Sequence, residues 1–170
     1  MLGNKGAAGS VGSTNIIIGG TLEFNRNDLP ASPFVEAANL FGAGSLKVTT
    51  GAVVLTADSS FAGGVSIASG ALLGLGNGGS TGSLLATSIS NDGTLDFNRL
   101  GNQAIDTTIS GKGLVEFLGG GDYTLNKANG YSGGTSIGAL SGTRVNLANG
   151  TAAGTGTITI LSGSTLAAQG

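Results

Sequence analysis

The sequence predicts an all-β chain wound as a right-handed parallel β-helix of roughly five to eight coils. Three observations carry this reading. Apolar residues come in pairs separated by one residue, Gly-rich breaks divide those pairs, and a unit of about 70 residues occurs twice.

The pairs run through the whole chain: Leu22/Phe24, Leu46/Val48, Val53/Leu55, Val65/Ile67, Leu73/Leu75, Leu95/Phe97, Val115/Phe117, Tyr123/Leu125, Val145/Leu147 and Ile158/Ile160. A spacing of two puts both side chains on one face of a strand, so each pair marks a short strand with one buried face. Between them lie Gly42-Ala43-Gly44, Gly63-Gly64, Gly119-Gly120-Gly121 and Gly133-Gly134, which read as turns. Residues 34 to 41 (Phe34, Ala37, Ala38, Phe41) come nearest to a helical stripe, and read as one or two helical turns or a loop.

The repeat is visible in residues other than glycine. Gly20-Thr21-Leu22-Glu23-Phe24-Asn25-Arg26 returns as Gly93-Thr94-Leu95-Asp96-Phe97-Asn98-Arg99. Phe61-Ala62-Gly63-Gly64-Val65-Ser66-Ile67 returns as Tyr131-Ser132-Gly133-Gly134-Thr135-Ser136-Ile137, and Leu75-Gly76-Asn77-Gly78 as Leu147-Ala148-Asn149-Gly150. Thr94-Leu95 is answered by Thr165-Leu166, the start of a third copy. The organisation expected is a lead-in or capping coil at 1–18, repeats at 19–91 and 92–163, and a loop excursion near 27–40, where the offset shortens and both prolines sit. Three strands per coil would give each unit roughly two to three coils and the rod a length of roughly 25–40 Å, with matching side chains stacked in ladders.

Composition removes many functions. Of 170 residues 34 are Gly, 9% are charged, and there is no Cys, His or Trp. Without His there is no imidazole base and no His-ligated metal; without Cys there is no thiol nucleophile, zinc ribbon or disulfide framework. A net charge of -2 opposes nucleic acid, whose phosphates need a basic face. Ile16-Ile17-Ile18 is far too short to span a bilayer, so no direct membrane insertion by this segment is expected. The chain opens without the apolar run of a signal peptide and reads as an excised segment behind an added Met.

The run 93–99, then Ile109-Ser110-Gly111-Lys112-Gly113, Tyr123-Thr124-Leu125 and Ala128-Asn129-Gly130-Tyr131-Ser132-Gly133-Gly134-Thr135-Ser136-Ile137 resembles the passenger-associated transport repeat of bacterial autotransporters, also called the autotransporter-associated β-strand repeat. The first copy, through Val54-Leu55-Thr56 and residues 61–67, is a weaker match. The resemblance implies a passenger domain exported by type V secretion to the surface of a Gram-negative bacterium. Its partners would be neighbouring passenger segments and a C-terminal translocator barrel in the outer membrane. Complete proteins of this kind serve as adhesins, self-association factors or protease carriers, often in virulence.

Motifs with chemical potential are few. Gly74-x-Gly76-x-x-Gly79 has the dinucleotide spacing but no helix to follow it. Gly-x-Ser-x-Gly around Ser80, Ser132 and Ser136 lacks any His, and Gly111-Lys112-Gly113 lacks the rest of a phosphate loop. Gly119-Gly120-Gly121-Asp122 departs from the calcium nonapeptide at Phe117 and Leu118. The carboxylates Glu23, Asp28, Glu36, Asp58, Asp92, Asp96, Asp106, Glu116 and Asp122 are the candidates for an acid pair in glycoside chemistry; Asp92 and Asp96 share one repeat segment, but Glu23 is the counterpart of Asp96, which reads as a repeated outer-face acid. In Phe24-Asn25-Arg26 and Phe97-Asn98-Arg99, Phe is expected to fill the core, Asn to turn the corner and Arg to pair with an acid. Asn149-Gly150-Thr151 is a formal sequon that reads as a turn.

The expectation is therefore a non-enzymatic stalk segment, with no catalytic, cofactor or metal residues and an unassigned ligand. Its rivals are a homotypic adhesin module, in which outer Thr/Ser/Asn ladders of two rods pair, and a polysaccharide-active β-helix. Open coil ends are expected to join end to end unless residues 1–18 or a partner covers one.

Overall fold

A computed structural model describes residues 1–140 and 142–168. Those residues form 20 strands and no helix. The first coil holds β1 (Asn15–Ile18), β2 (Thr21–Asn25) and β3 (Phe34–Glu36). The second holds β4 (Asn39–Gly42), β5 (Ser45–Thr50) and β6 (Ala52–Leu55), and the third β7 (Ser59–Phe61), β8 (Val65–Ile67) and β9 (Leu72–Leu75). The fourth comprises β10 (Leu84–Leu85), β11 (Ser88–Asn91) and β12 (Thr94–Phe97). The fifth comprises β13 (Asn102–Ile105), β14 (Thr108–Ser110) and β15 (Leu114–Phe117). The sixth keeps β16 (Asp122–Leu125) and β17 (Thr135–Ile137), the seventh β18 (Arg144–Leu147) and β19 (Ile158–Ile160), and β20 (Thr165–Ala168) follows.

Each strand pairs in parallel with its counterpart one coil away, so the chain is a parallel β-helix of about seven turns. Three faces result. The first is β1-β4-β7-β10, resumed as β13-β16-β18-β20; the second is β2-β5-β8-β11-β14; the third is the continuous β3-β6-β9-β12-β15-β17-β19. At one inter-strand spacing per coil the rod is about 30 Å long.

The apolar pairs read from the sequence all turn inward, and register stacks them into columns. On the second face Leu22, Leu46, Val65, Ile89 and Ile109 form one column, beside Phe24, Val48 and Ile67. On the third, Val53, Leu73, Leu95 and Val115 run beside Leu55, Leu75, Phe97 and Phe117. Phe97 and Phe117 stack at 5.1 Å, and Tyr123 leans on Phe117 at 5.0 Å. The last pair, Ile158/Ile160, belongs to the same column but is exposed, because no rung lies beyond β19 among the described residues. Ladder stacking gives each interior inward side chain an apolar neighbour both above and below, which is why so narrow a core suffices.

The repeat and the coil have different periods. Thr21-Leu22 lies on the second face, its counterpart Thr94-Leu95 on the third, and Thr165-Leu166 on the first. Val65–Ile67 and Thr135–Ile137 likewise move from the second face to the third, and Leu75 and Leu147 from the third to the first. One unit therefore spans three coils and one further face, more than the two to three coils expected, and equivalent residues do not share a ladder. Glycines show the same rotation. A Cβ on Gly63 would strike the Gly44 carbonyl oxygen, and one on Gly44 that of Gly20, at the corner between the first and second faces. Gly133, Gly113 and Gly93 stack in the same way at the next corner. No side chain fits where one coil rests directly on the backbone of the last.

The excursion near 27–40 is shorter than expected. It is confined to residues 26–33, with a bridge between Leu29 and Ser32; beyond it Phe34–Glu36 and Asn39–Gly42 are strands joined by the two-residue corner Ala37-Ala38, with no helical turn. Phe34 points inward, 5.8 Å from Phe24, and Leu40 is fully buried, while Phe41 is exposed. Two-residue alternation thus wins over the helical spacing of 34, 37, 38 and 41. The corner between β3 and β4 is closed by the buried Glu36, whose Oε1 accepts the Ala38 N–H at 3.0 Å. At the N-terminus Leu2 pairs with Phe24, covering the free edge of β2.

Candidate functional site

The two Phe-Asn-Arg segments behave as expected and do something more. Phe24 and Phe97 are buried, Asn25 accepts from Thr50 Oγ1 at 2.9 Å, and each Arg reaches an acid. Arg26 Nε donates to Asp28 at 2.6 Å; Arg99 lies 3.8 Å from Asp58. Both also gather loop carbonyls. Arg26 donates to those of Ala7, Ala8 and Gly9 and lies 3.8 Å over the Phe34 ring, while Arg99 donates to the Ser80 carbonyl and to Gln103 Oε1. The five N–H groups of a guanidinium suit it to this clamp.

Carboxylates are scattered, with one exception. Asp92 and Asp96 are separated by the corner at Gly93 and do not pair. Asp58 accepts from Ser83 N and Oγ, which with the Gly82 N–H and Arg99 holds its pKa below the ordinary value. Asp106 accepts from Asn126, and Asp122 from Asn146. The exception is Asp96 and Glu116, directly opposite each other on β12 and β15. Burial pushes the Asp96 carboxyl up to about 7, and the Glu116 charge and hydrogen bond add to the effect. Its repeat counterpart Glu23 faces Lys47 instead, at 3.6 Å, and is held below the usual range, chiefly by the Thr49 hydroxyl at 2.6 Å and also by Lys47. Equivalent sequence positions thus have opposite electrostatics, because they lie on different faces with different neighbours.

The remaining motifs are turns and strands. Gly74 sits in β9 opposite Asp96, and Gly76 packs against Gly82, leaving no cradle and no helix N-terminus. Ser80 lies in a loop, Ser132 precedes the Gly133 corner, and Ser136 faces outward from β17. Asn149 Oδ1 accepts the Thr151 N–H at 3.1 Å, an Asx turn at the formal sequon. Among the described residues no group of three metal-ligating side chains converges, and no helix is long and apolar enough to cross a membrane.

What the fold presents is surface. The second face carries two outward ladders, Thr21–Ser45 with Ser88–Thr108, and Glu23–Lys47–Ser66–Ser90–Ser110. From Ser66 onward these positions are exposed small hydroxyls at one rung spacing, a flat polar strip. The first face presents Ile17, Phe41 and Leu85 in one ladder, interrupted by Ser60.

Sequence reasoning missed two buried asparagines that join coils. Asn91 donates to the Leu114 carbonyl at 2.8 Å and accepts the Gly93 N–H. Asn129 accepts the Ile109 N–H at 2.7 Å and donates to the Ala152 carbonyl at 2.6 Å, where the second face has no strands. Asn129 lies inside the repeat motif Ala128–Ile137, and nothing in its spacing marks it as buried. No family model, curated protein or solved structure matches this chain.

Proposed function

We propose that the chain is a structural stalk segment of a surface-displayed autotransporter passenger, supporting export, folding and display. The observation that carries the reading is the stack itself: about seven parallel coils whose contacts are almost all to the next rung. Each coil added completes the core of the one before, so folding can proceed rung by rung as a chain emerges, and the product is a stiff spacer. The motif resemblance supplies the passenger context, and with it an extracellular location and a translocator barrel as partner. Asp92 and Asp96, the acids nearest each other in sequence, do not pair; the acids that do face each other are Asp96 and Glu116, on neighbouring rungs of the third face.

The test is to place the chain between a signal peptide and an autotransporter barrel in a Gram-negative host. Surface labelling and protease shaving of whole cells should find it outside, and deletion of residues 92–163 should lower display of an N-terminal tag. Periplasmic retention of the intact fusion, or display indifferent to the deletion, would count against the stalk reading.

The Ser ladder of the second face favours homotypic adhesion as the second reading. Displaying cells should then clump, and Ser66→Lys with Ser90→Lys should disperse them through like-charge repulsion. Clumping that survives both substitutions refutes adhesion by this face.

A further inference from the structure

The junction between the fourth and fifth coils is built differently from its neighbours. On the first face β10 pairs with β7 and β13 with β16, but β10 and β13 are not joined. The cause is the loop 76–83, which hydrogen-bonds to the next coil through Gly78 N to Asn98 O and Leu100 N to Gly79 O, both 2.8 Å, and leaves β10 only two residues. Behind the gap lies a cavity of about 40 Å³, walled by Leu75, Leu84, Ile89, Phe97 and Ile105 with Arg99 beside them.

On the third face the same junction sets Asp96 against Glu116. Their ladder continues to Gly74 and Val54 on one side and to Ser136 and Thr159 on the other. None of the seven strands of this sheet carries Lys or Arg, and its remaining acid, Glu36, is buried in the first coil. Across the core, β10, β11, β13 and β14 carry no charged residue. Arg99 is turned into the loop by Ser80 and Gln103; the Lys112 and Asp92 pair sits at the corner, joined through the Lys112 backbone N–H. Three buried polar atoms without partners, Asp96 Oδ1, Asn98 Oδ1 and Arg99 Nε, fall within four consecutive residues here. What holds the junction is β12 on β15, β11 on β14, the Asn91 bridge and the Phe97–Phe117 stack, so the acid pair sits within one of its two ladders.

We infer that this junction is a pH-gated joint in the rod: a proton shared by Asp96 and Glu116 closes it, and loss of that proton opens it locally between coils four and five. With the proton, one carboxyl O–H donates across the rung; without it, two carboxylates face each other at strand spacing with no cation between them. Burial favours the protonated form of Asp96 in the folded chain, well above its ordinary 3.8. The unfolded chain therefore ionises first, so the joint is tightest in acid and weakens as pH rises from about 4 to about 7, then levels off. This device is independent of what the rod displays.

Backbone amide hydrogen exchange read by mass spectrometry on the whole chain, corrected for intrinsic rates, tests it at pH 5 and pH 8. Amides of β12, β13 and β15 should lose protection by about tenfold or more, the effect of one pH unit of coupled titration, while β5 and β6 keep theirs. Asp96→Asn, whose amide can donate to Glu116 as the protonated acid does, should hold the pH 5 protection at pH 8. Glu116→Gln should do the same, and serves if the first variant folds poorly. Equal protection at both pH values, a loss shared by all coils, or the same loss in both variants would overturn the joint.

Discussion

Replacing Asn129 by Ala tests how the second face holds together where its strands end. In the sixth and seventh coils residues 129–131 and 152–155 are not strands; a few backbone bonds cross, such as Gly130 N to Ile109 O and Thr155 N to Tyr131 O, and the Asn129 side chain adds to them, tying Ile109 N to Ala152 O across three coils. Asn129 is 5% exposed, so water cannot take over either bond. Truncation leaves one buried donor and one buried acceptor unpaired, at about 1–3 kcal/mol each, for a loss of about 2–6 kcal/mol. Urea denaturation followed by far-UV circular dichroism reads this as a lower midpoint. With a slope of about 2 kcal/mol/M the shift is about 1–3 M. Asn126→Ala is the control: that side chain bonds Asp106 at an exposed site, and its loss should cost under about 0.5 kcal/mol. If Asn129→Ala is as mild as Asn126→Ala, the side chain is not what fastens these coils where the strands end.

Further expectations follow from the same geometry. Gly113→Ala should destabilise by at least about 2 kcal/mol in the same urea titration, since its Cβ meets the Gly93 carbonyl oxygen and the Asn91 side chain, whereas Gly130→Ala, with open space around it, should be near neutral. Carboxylate carbons followed by NMR should titrate in opposite senses. Glu23 should have its midpoint below the ordinary range, adding stability that is lost as pH falls through that midpoint, and Asp96 its midpoint above, with stability lost as pH rises toward about 7. Arg26→Ala should release residues 7–9, seen as faster proteolytic cleavage there, while cleavage elsewhere is unchanged. Uniform cleavage would mean that Arg26 supports the whole first coil instead.

Strand positions were legible because an inward pair spaced by two is a local pattern: Leu95 and Phe97 face the core for reasons contained in a few residues. Legibility failed where local spacing is ambiguous. Residues 34–41 satisfy a short helical stripe as well as a strand pattern, and only the packing of Phe34 on Phe24 and of Leu40 into the core decides between them. Polar residues were the least legible. Asn91 and Asn129 look like corner residues, and their burial depends on carbonyls 23 residues away.

By itself, the order of residues determined that this is a repetitive all-β coil with inward apolar pairs and Gly corners, because side-chain alternation and backbone close approach are properties of short segments. The tertiary structure alone decided how those segments are phased. A unit that spans three coils and one face rotates each copy to a new side of the rod, so identical motifs acquire different neighbours. Glu23 meets Lys47 and Asp96 meets Glu116. Contacts between rungs depend on coil length, which loops such as 76–83 alter one residue at a time, and no local pattern records the running total.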